Sequence, residues 1–120
     1  NPVCALFTPA DLAAFIGEPV NAGENAAMGT GCQWTAKDES GSVMVQIVDA
    51  RNHNPITGAP AFREVPDVGE RGYVANDVGW TAGAIQGASA IVVTTDGKSA
   101  SDATAIALLK ETLKRWSRRR

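Results

Sequence analysis

The chain has 120 residues, 44% of them apolar and 20% charged, with a formal net charge of −2. That length makes one domain, able to bury roughly two-thirds of the surface its unfolded chain exposes. The acidic balance argues against general nucleic-acid binding, and no apolar run approaches the ~20 residues of a membrane span. The balance hides an asymmetry: residues 1–113 carry −7, whereas Lys114, Arg115, Arg118, Arg119 and Arg120 give +5 at the C-terminus. Such a tail suits anionic lipid or nucleic acid, but its simpler reading is the frayed, solvated end of a helix.

Residues 1–17 predict a short capped helix. Thr8 is a good N-cap, Pro9 a good first residue, and Asp11 stands where a carboxylate meets the positive helix end. Leu12, Phe15 and Ile16 make one apolar stripe. Gly17 suits the left-handed stop, and Pro19 prevents resumption. A helix of about 8 residues does not stand alone in water, so it needs packing.

After an Asn-, Gly- and Ala-rich loop, residues 30–49 predict a hairpin. Cys32, Trp34 and Ala36 alternate with polar neighbours, Asp38 to Gly41 turn, and Val43, Val45 and Ile47 form the inward set of the return strand. From 50 to 72 the pattern dissolves around three prolines, and we expect a long loop, with a short turn at 60–65 pinning Phe62 to the core. A structureless stretch of that length is uncommon in a small domain and is often functional. Residues 73–96 predict consecutive antiparallel strands: Tyr73 to Ala75, Val78 to Gln86 with Trp80 on one face, and Ala88 to Thr95 with the β-prone Ile91, Val92 and Val93. Residues 100–116 predict a closing helix with a Ser99–Asp102 capping box and a stripe of Ile106, Leu109, Leu113 and Trp116. The expected fold class is α+β: an antiparallel sheet of about five strands, with the short N-terminal helix and the long C-terminal helix packed on one face.

The two cysteines, Cys4 and Cys32, have too few partners for a structural zinc, which takes about four ligands. The reading we carry forward is a disulfide, with a pair of buried thiols as the bland alternative and a thiol paired with His53 as a remote one. A bridge closing 27 intervening residues is worth about 3 to 4 kcal/mol in the chain-entropy account. Disulfides persist outside the reducing cytosol, so it also implies an extracytoplasmic protein.

The search for chemistry yields no catalytic set, no metal site and no cofactor motif. His53 is the lone histidine and the natural general base at neutral pH, but Arg-Asn-His-Asn-Pro is a loop context and no Gly-x-Ser-x-Gly elbow accompanies it. Asp38, Glu39 and Asp49 are candidates to meet across the first hairpin, and Asp67 and Glu70 flank a turn; ordinary solvated carboxylates are the simpler account. Gly69 to Gly72 is a Gly-x-x-Gly, best read as a turn into the third strand.

The order Cys4-x-Leu6-x-Thr8-x-x-Asp11-Leu12, then Gly17, Cys32-Gln33-Trp34 and Val65-Pro66-Asp67-Val68-Gly69 followed by Tyr73, resembles small exported lipoprotein-like domains common in actinobacteria. The resemblance spans most of the chain. It implies export and a cysteine bridge, and it carries no catalytic residues, since the family has no settled activity. In such lipoproteins the lipidated cysteine is the first mature residue; here it would lie upstream of Asn1, outside this sequence.

Three functions follow as expectations. The first is a non-enzymatic binding or accessory module of the cell envelope. Its contact surface would be the long loop, with Arg51, His53 and Phe62 contributing, and its partner an unknown protein. The second is a carrier of a small apolar or lipid-like ligand, held between sheet and helices by Phe15, Trp34, Trp80 and Trp116. The third is a hydrolase using His53. No nucleic acid is expected, and membrane contact only through an anchor beyond this sequence.

Overall fold

The computed structural model describes residues 1–98 and 100–118. A 3₁₀ turn at Cys4–Leu6 leads into α1 (Pro9–Ile16), and the C-terminal helix α2 spans Asp102–Arg118. Between them lie β1 (Glu24–Ala26), β2 (Gly31–Thr35), β3 (Gly41–Asp49), β4 (Arg63–Glu64), β5 (Glu70–Asn76), β6 (Trp80–Gln86) and β7 (Ser89–Gly97). The sheet is antiparallel and has seven strands rather than about five, in the order β1-β2-β3-β7-β6-β5-β4. The five expected strands are the inner ones. The two additional strands are the edges, three and two residues long, too short to show an alternating pattern.

α1 begins with the expected capping box: the Asp11 N–H donates to Thr8 Oγ1 at 3.1 Å, and the Thr8 N–H donates to Asp11 Oδ2 at 2.8 Å. Gly17 closes it at φ +75°, its N–H reaching the Ala13 carbonyl. The Cys4–Cys32 disulfide is present, with Cα atoms 5.1 Å apart. It joins the turn before α1 to β2, next to the wholly buried Trp34. Any side chain at Gly23 would strike Cys32 Sγ and the Trp34 indole, so this corner is filled.

At the second helix, Ser99 lies outside the described residues, and the cap is Ser101: Thr104 N–H donates to Ser101 Oγ at 3.0 Å. Asp102 is the first helical residue. Its carboxylate accepts from Arg63 at 3.2 Å, tying β4 to the start of α2. The buried face of α2 is Ala105, Leu108, Leu109, Thr112 and Leu113, with Ile106 and Trp116 at its margins. Thr112 is accommodated because its hydroxyl donates to the Leu108 carbonyl at 2.7 Å. The C-terminal helix end is not simply a frayed cationic tail. Arg115 stacks on the Phe7 ring and donates to the Leu6 carbonyl, Asp11 and Glu111. Arg119 and Arg120 lie outside the described residues.

Both helices pack on one face of the sheet, where Leu12, Val43, Val45, Val74, Ile91, Val93 and Leu109 form one continuous core. β3 pairs with the last strand, β7, along nine residue pairs from Gly41–Gly97 to Asp49–Ser89. β7, β6 and β5 then run outward as a meander. This order forces the connection after β3 to travel from the middle of the sheet to its far edge. It does so across the face that the helices leave free.

Candidate functional site

The open face carries the alternate residues of the central strands: Met44, Gln46 and Val48 on β3, Val92 and Thr94 on β7, Thr81 on β6. They floor a groove of about 630 Å³, bounded by Asn52, Asn54 and Ile56 of the crossing loop and by Asp77 and Val78 of the β5–β6 turn. The floor is apolar where Met44, Val48 and Val92 stand; amides and hydroxyls surround it. Val78 is 86% exposed and sits at φ +49°, an unfavourable conformation for a β-branched residue.

Tyr73 anchors the loop. It is 3% exposed and points to the open face, opposite the backbone of its cross-strand partner Gly83. A Cβ at Gly83 would lie 2.7 Å from the Tyr73 ring, so glycine allows the ring to lie on the sheet. The loop returns over it: Phe62 stacks on Tyr73 at 6.0 Å between centroids, and His53 lies against it at 5.7 Å. The Asn76 N–H donates to the Pro60 carbonyl at 2.9 Å, fixing the loop at the far side. Burial raises the Tyr73 pKa above its ordinary value.

A second hollow, about 330 Å³, opens on the other side of the loop. Phe62, Tyr73, Pro55 and Pro66 wall it, with Thr57, Glu64 and Arg71 presenting polar groups. Tyr73 thus lines both hollows. Arg71 sits in a β-bulge between Glu70 and Tyr73, at φ +57°. Bulges re-aim side chains, and a left-handed arginine costs of order 1 kcal/mol that the surrounding structure must offset.

The expected site residues therefore divide. His53 and Phe62 come together on Tyr73. Arg51 stands apart at the mouth of the loop, paired with Asp49 at 3.0 Å and largely exposed. Trp34 and Trp80 lie on the helix-covered face, where Trp34 is sealed and packs edge-on against Phe7 at 6.1 Å, and Trp80 packs against the core cluster. Phe15 and Trp116 are likewise packed against the core. Both hollows described above lie away from this layer.

Asp38 and Asp49 do not meet across the first hairpin. Asp38 is at one end of β3, bonded to Ser40 and Lys98, and Asp49 is at the other; nine extended residues keep them roughly 30 Å apart. Asp67 pairs with Lys110 on α2 at 3.8 Å. Neither ring nitrogen of His53 makes a well-formed hydrogen bond, although both are shielded from solvent. Burial, with the nearby Arg71 charge, holds the His53 pKa below its usual value against a weaker opposite pull from the Arg71 main chain. A general base needs its proton donor within hydrogen-bond reach, and no nucleophile among the described residues stands there.

Tyr73, which lines both hollows, is the candidate-site residue the sequence does not single out. Its signal was available in its glycine neighbour at 72 and the glycine facing it at 83, but only with the strand register known. Together, the fold and the site define a disulfide-stapled α+β domain whose free sheet face is crossed and roofed by one long loop. No family model, curated protein or solved structure matches the chain.

Proposed function

We propose that this domain is a non-enzymatic extracytoplasmic binding or accessory module, and that the loop-crossed sheet face is its capture surface. The observation that carries this reading is the open face itself. One face of the sheet is sealed by two helices; the other is concave, half apolar and framed by a loop pinned at Tyr73 and at Asn76. A sheet face packed only to stabilise the fold would be covered or uniformly polar. The volume of the larger hollow lies in the range of small-molecule sites, and a peptide segment would also fit along its length.

The disulfide supports placement in an oxidising compartment, as does the resemblance to exported lipoprotein-like domains. No helix among the described residues is long and apolar enough to cross a membrane, so attachment to an envelope would depend on an anchor outside this sequence. Trp34 is sealed and Trp80 and Trp116 are only partly buried; the hollow of about 370 Å³ beside Trp116 touches neither Trp34 nor Trp80, which weakens the reading of a carrier cavity walled by all three, and the isolated imidazole gives no support to hydrolysis.

Backbone amide shifts recorded while a panel of short peptides, glycans and apolar small molecules is titrated in would test the proposal. Shifts concentrated on β3, β7, Tyr73 and residues 52–57 are expected for the ligand that binds. Shifts confined to the helix face, or none from any class, would overturn it.

A further inference from the structure

The smaller hollow has a chemistry of its own. Phe62 and Tyr73, stacked on each other, line it together with Pro55 and Pro66. This apolar lining offers a surface against which a planar group can pack. At its mouth stand one cation, Arg71, and one anion, Glu64. Neither has an ion-pair partner among the described residues; Lys37 and Lys114 also lack one, whereas Arg51, Arg63, Lys98, Lys110 and Arg115 are paired.

The two charges are placed by different devices. Glu64 is on the two-residue edge strand, opposite Tyr73 in the register. Arg71 is turned out of the ladder by the bulge, in a backbone conformation that arginine does not favour. Backbone strain of that kind tends to persist where it positions a functional group. Arginine is also the side chain whose fork matches a carboxylate.

We propose that this hollow binds a small aromatic zwitterion, an α-amino acid with a planar side chain. Its carboxylate would lie on Arg71, its ammonium toward Glu64 and its ring against Phe62, Tyr73 and the two prolines. A volume of about 330 Å³ is ample for a molecule of this size. This assignment rests on the loop-crossed face being the capture surface, and it names the ligand class for one half of that face.

His53 makes the test direct, because it is the sole histidine and packs on Tyr73, so its imidazole proton signals are unambiguous. L-phenylalanine titrated to 20 mM at pH 7.5 is expected to shift those signals and the Tyr73 ring signals saturably. Phenethylamine, which lacks the carboxylate, and N-acetyl-L-phenylalanine, which lacks the ammonium, are each expected to bind at least ten-fold more weakly. Arg71→Gln is expected to weaken L-phenylalanine binding at least ten-fold while leaving the free protein's Tyr73 ring signals in place; Arg71→Lys should fall between. Absence of saturable shifts with L-phenylalanine overturns the proposal, as does undiminished binding in Arg71→Gln or equal binding of either truncated probe. If other ligands shift the wide groove while L-phenylalanine shifts nothing, this assignment fails and the capture surface stands.

Discussion

Replacing Gly83 by alanine tests how the loop is held on the sheet. Alanine is ordinarily the better strand residue, since glycine loses about 0.5–1 kcal/mol more to ordering. Here the new methyl would sit 2.7 Å from the Tyr73 ring, well inside contact distance, and the ring cannot retreat because Phe62 and His53 cover it. Overpacking of this kind costs about 1–3 kcal/mol. The same substitution in a Tyr73→Val background meets no ring, so it should be neutral or mildly stabilising. The cycle therefore predicts a coupling of about 2–3 kcal/mol between the two positions, measured from urea unfolding followed by tryptophan fluorescence. Independent sites add within about 0.5 kcal/mol. If Gly83→Ala costs the same in both backgrounds, the Tyr73 ring does not rest on Gly83 and the account of the loop anchor is wrong.

Removing the bridge as Cys4→Ala with Cys32→Ala should lower unfolding free energy by about 3–4 kcal/mol for a loop of this length; a loss under about 1 kcal/mol in denaturant titration would refute it. Arg115→Ala should cost about 2 kcal/mol through its bonds to Leu6, Asp11 and Glu111 and its contact with Phe7, with Arg115→Lys recovering part; calorimetric Tm values decide. Because burial depresses the His53 pKa, the unfolded chain binds a proton there first, so stability should fall as pH drops below about 6.5. His53→Phe should flatten that slope between pH 7 and 5. Asp38, its pKa lowered to about 2 chiefly by hydrogen bonds from Ser40, should contribute to an acid limb as pH falls from about 5 toward 2; Asp38→Asn should make that limb shallower in the same denaturation series, the rest coming from Asp11, Asp49, Asp102 and Glu111.

Much of the architecture was legible because local signals agreed with the final packing. The Thr8–Asp11 cap, the Gly17 stop and the alternation of Val43, Val45 and Ile47 each reflect forces that act within a few residues. The edge strands were not legible, since two or three residues leave no periodicity. Ser99 and Ser101 both precede the apolar stripe by an acceptable spacing, so spacing alone does not distinguish them; Ser101 accepts from the Thr104 N–H. For the candidate site, the long loop and two of its residues, His53 and Phe62, could be picked out as irregular, proline-rich and polar. Trp34 and Trp80 stand between sheet and helices, as their alternating strands suggest, but whether an aromatic there fills the core or lines a cavity depends on how the helices pack, which no local pattern encodes. Arg115 shows the same limit at the tail, where a run of cations hides one structural arginine between the exposed Lys114 and Arg118.

The pairing of β3 with β7 also determines when the fold can be completed. The middle of the sheet joins a strand from the first half of the chain to the last strand before α2, so everything between must be synthesised before the two edges can meet. Until then the β2–β3 ribbon and the β5–β6 ribbon each present raw hydrogen-bonding edges, which invite pairing with other chains. Non-local pairing of this kind folds slowly. A chain cut short between Gln86 and Ser89 would therefore leave two separate sticky ribbons rather than a smaller version of the domain.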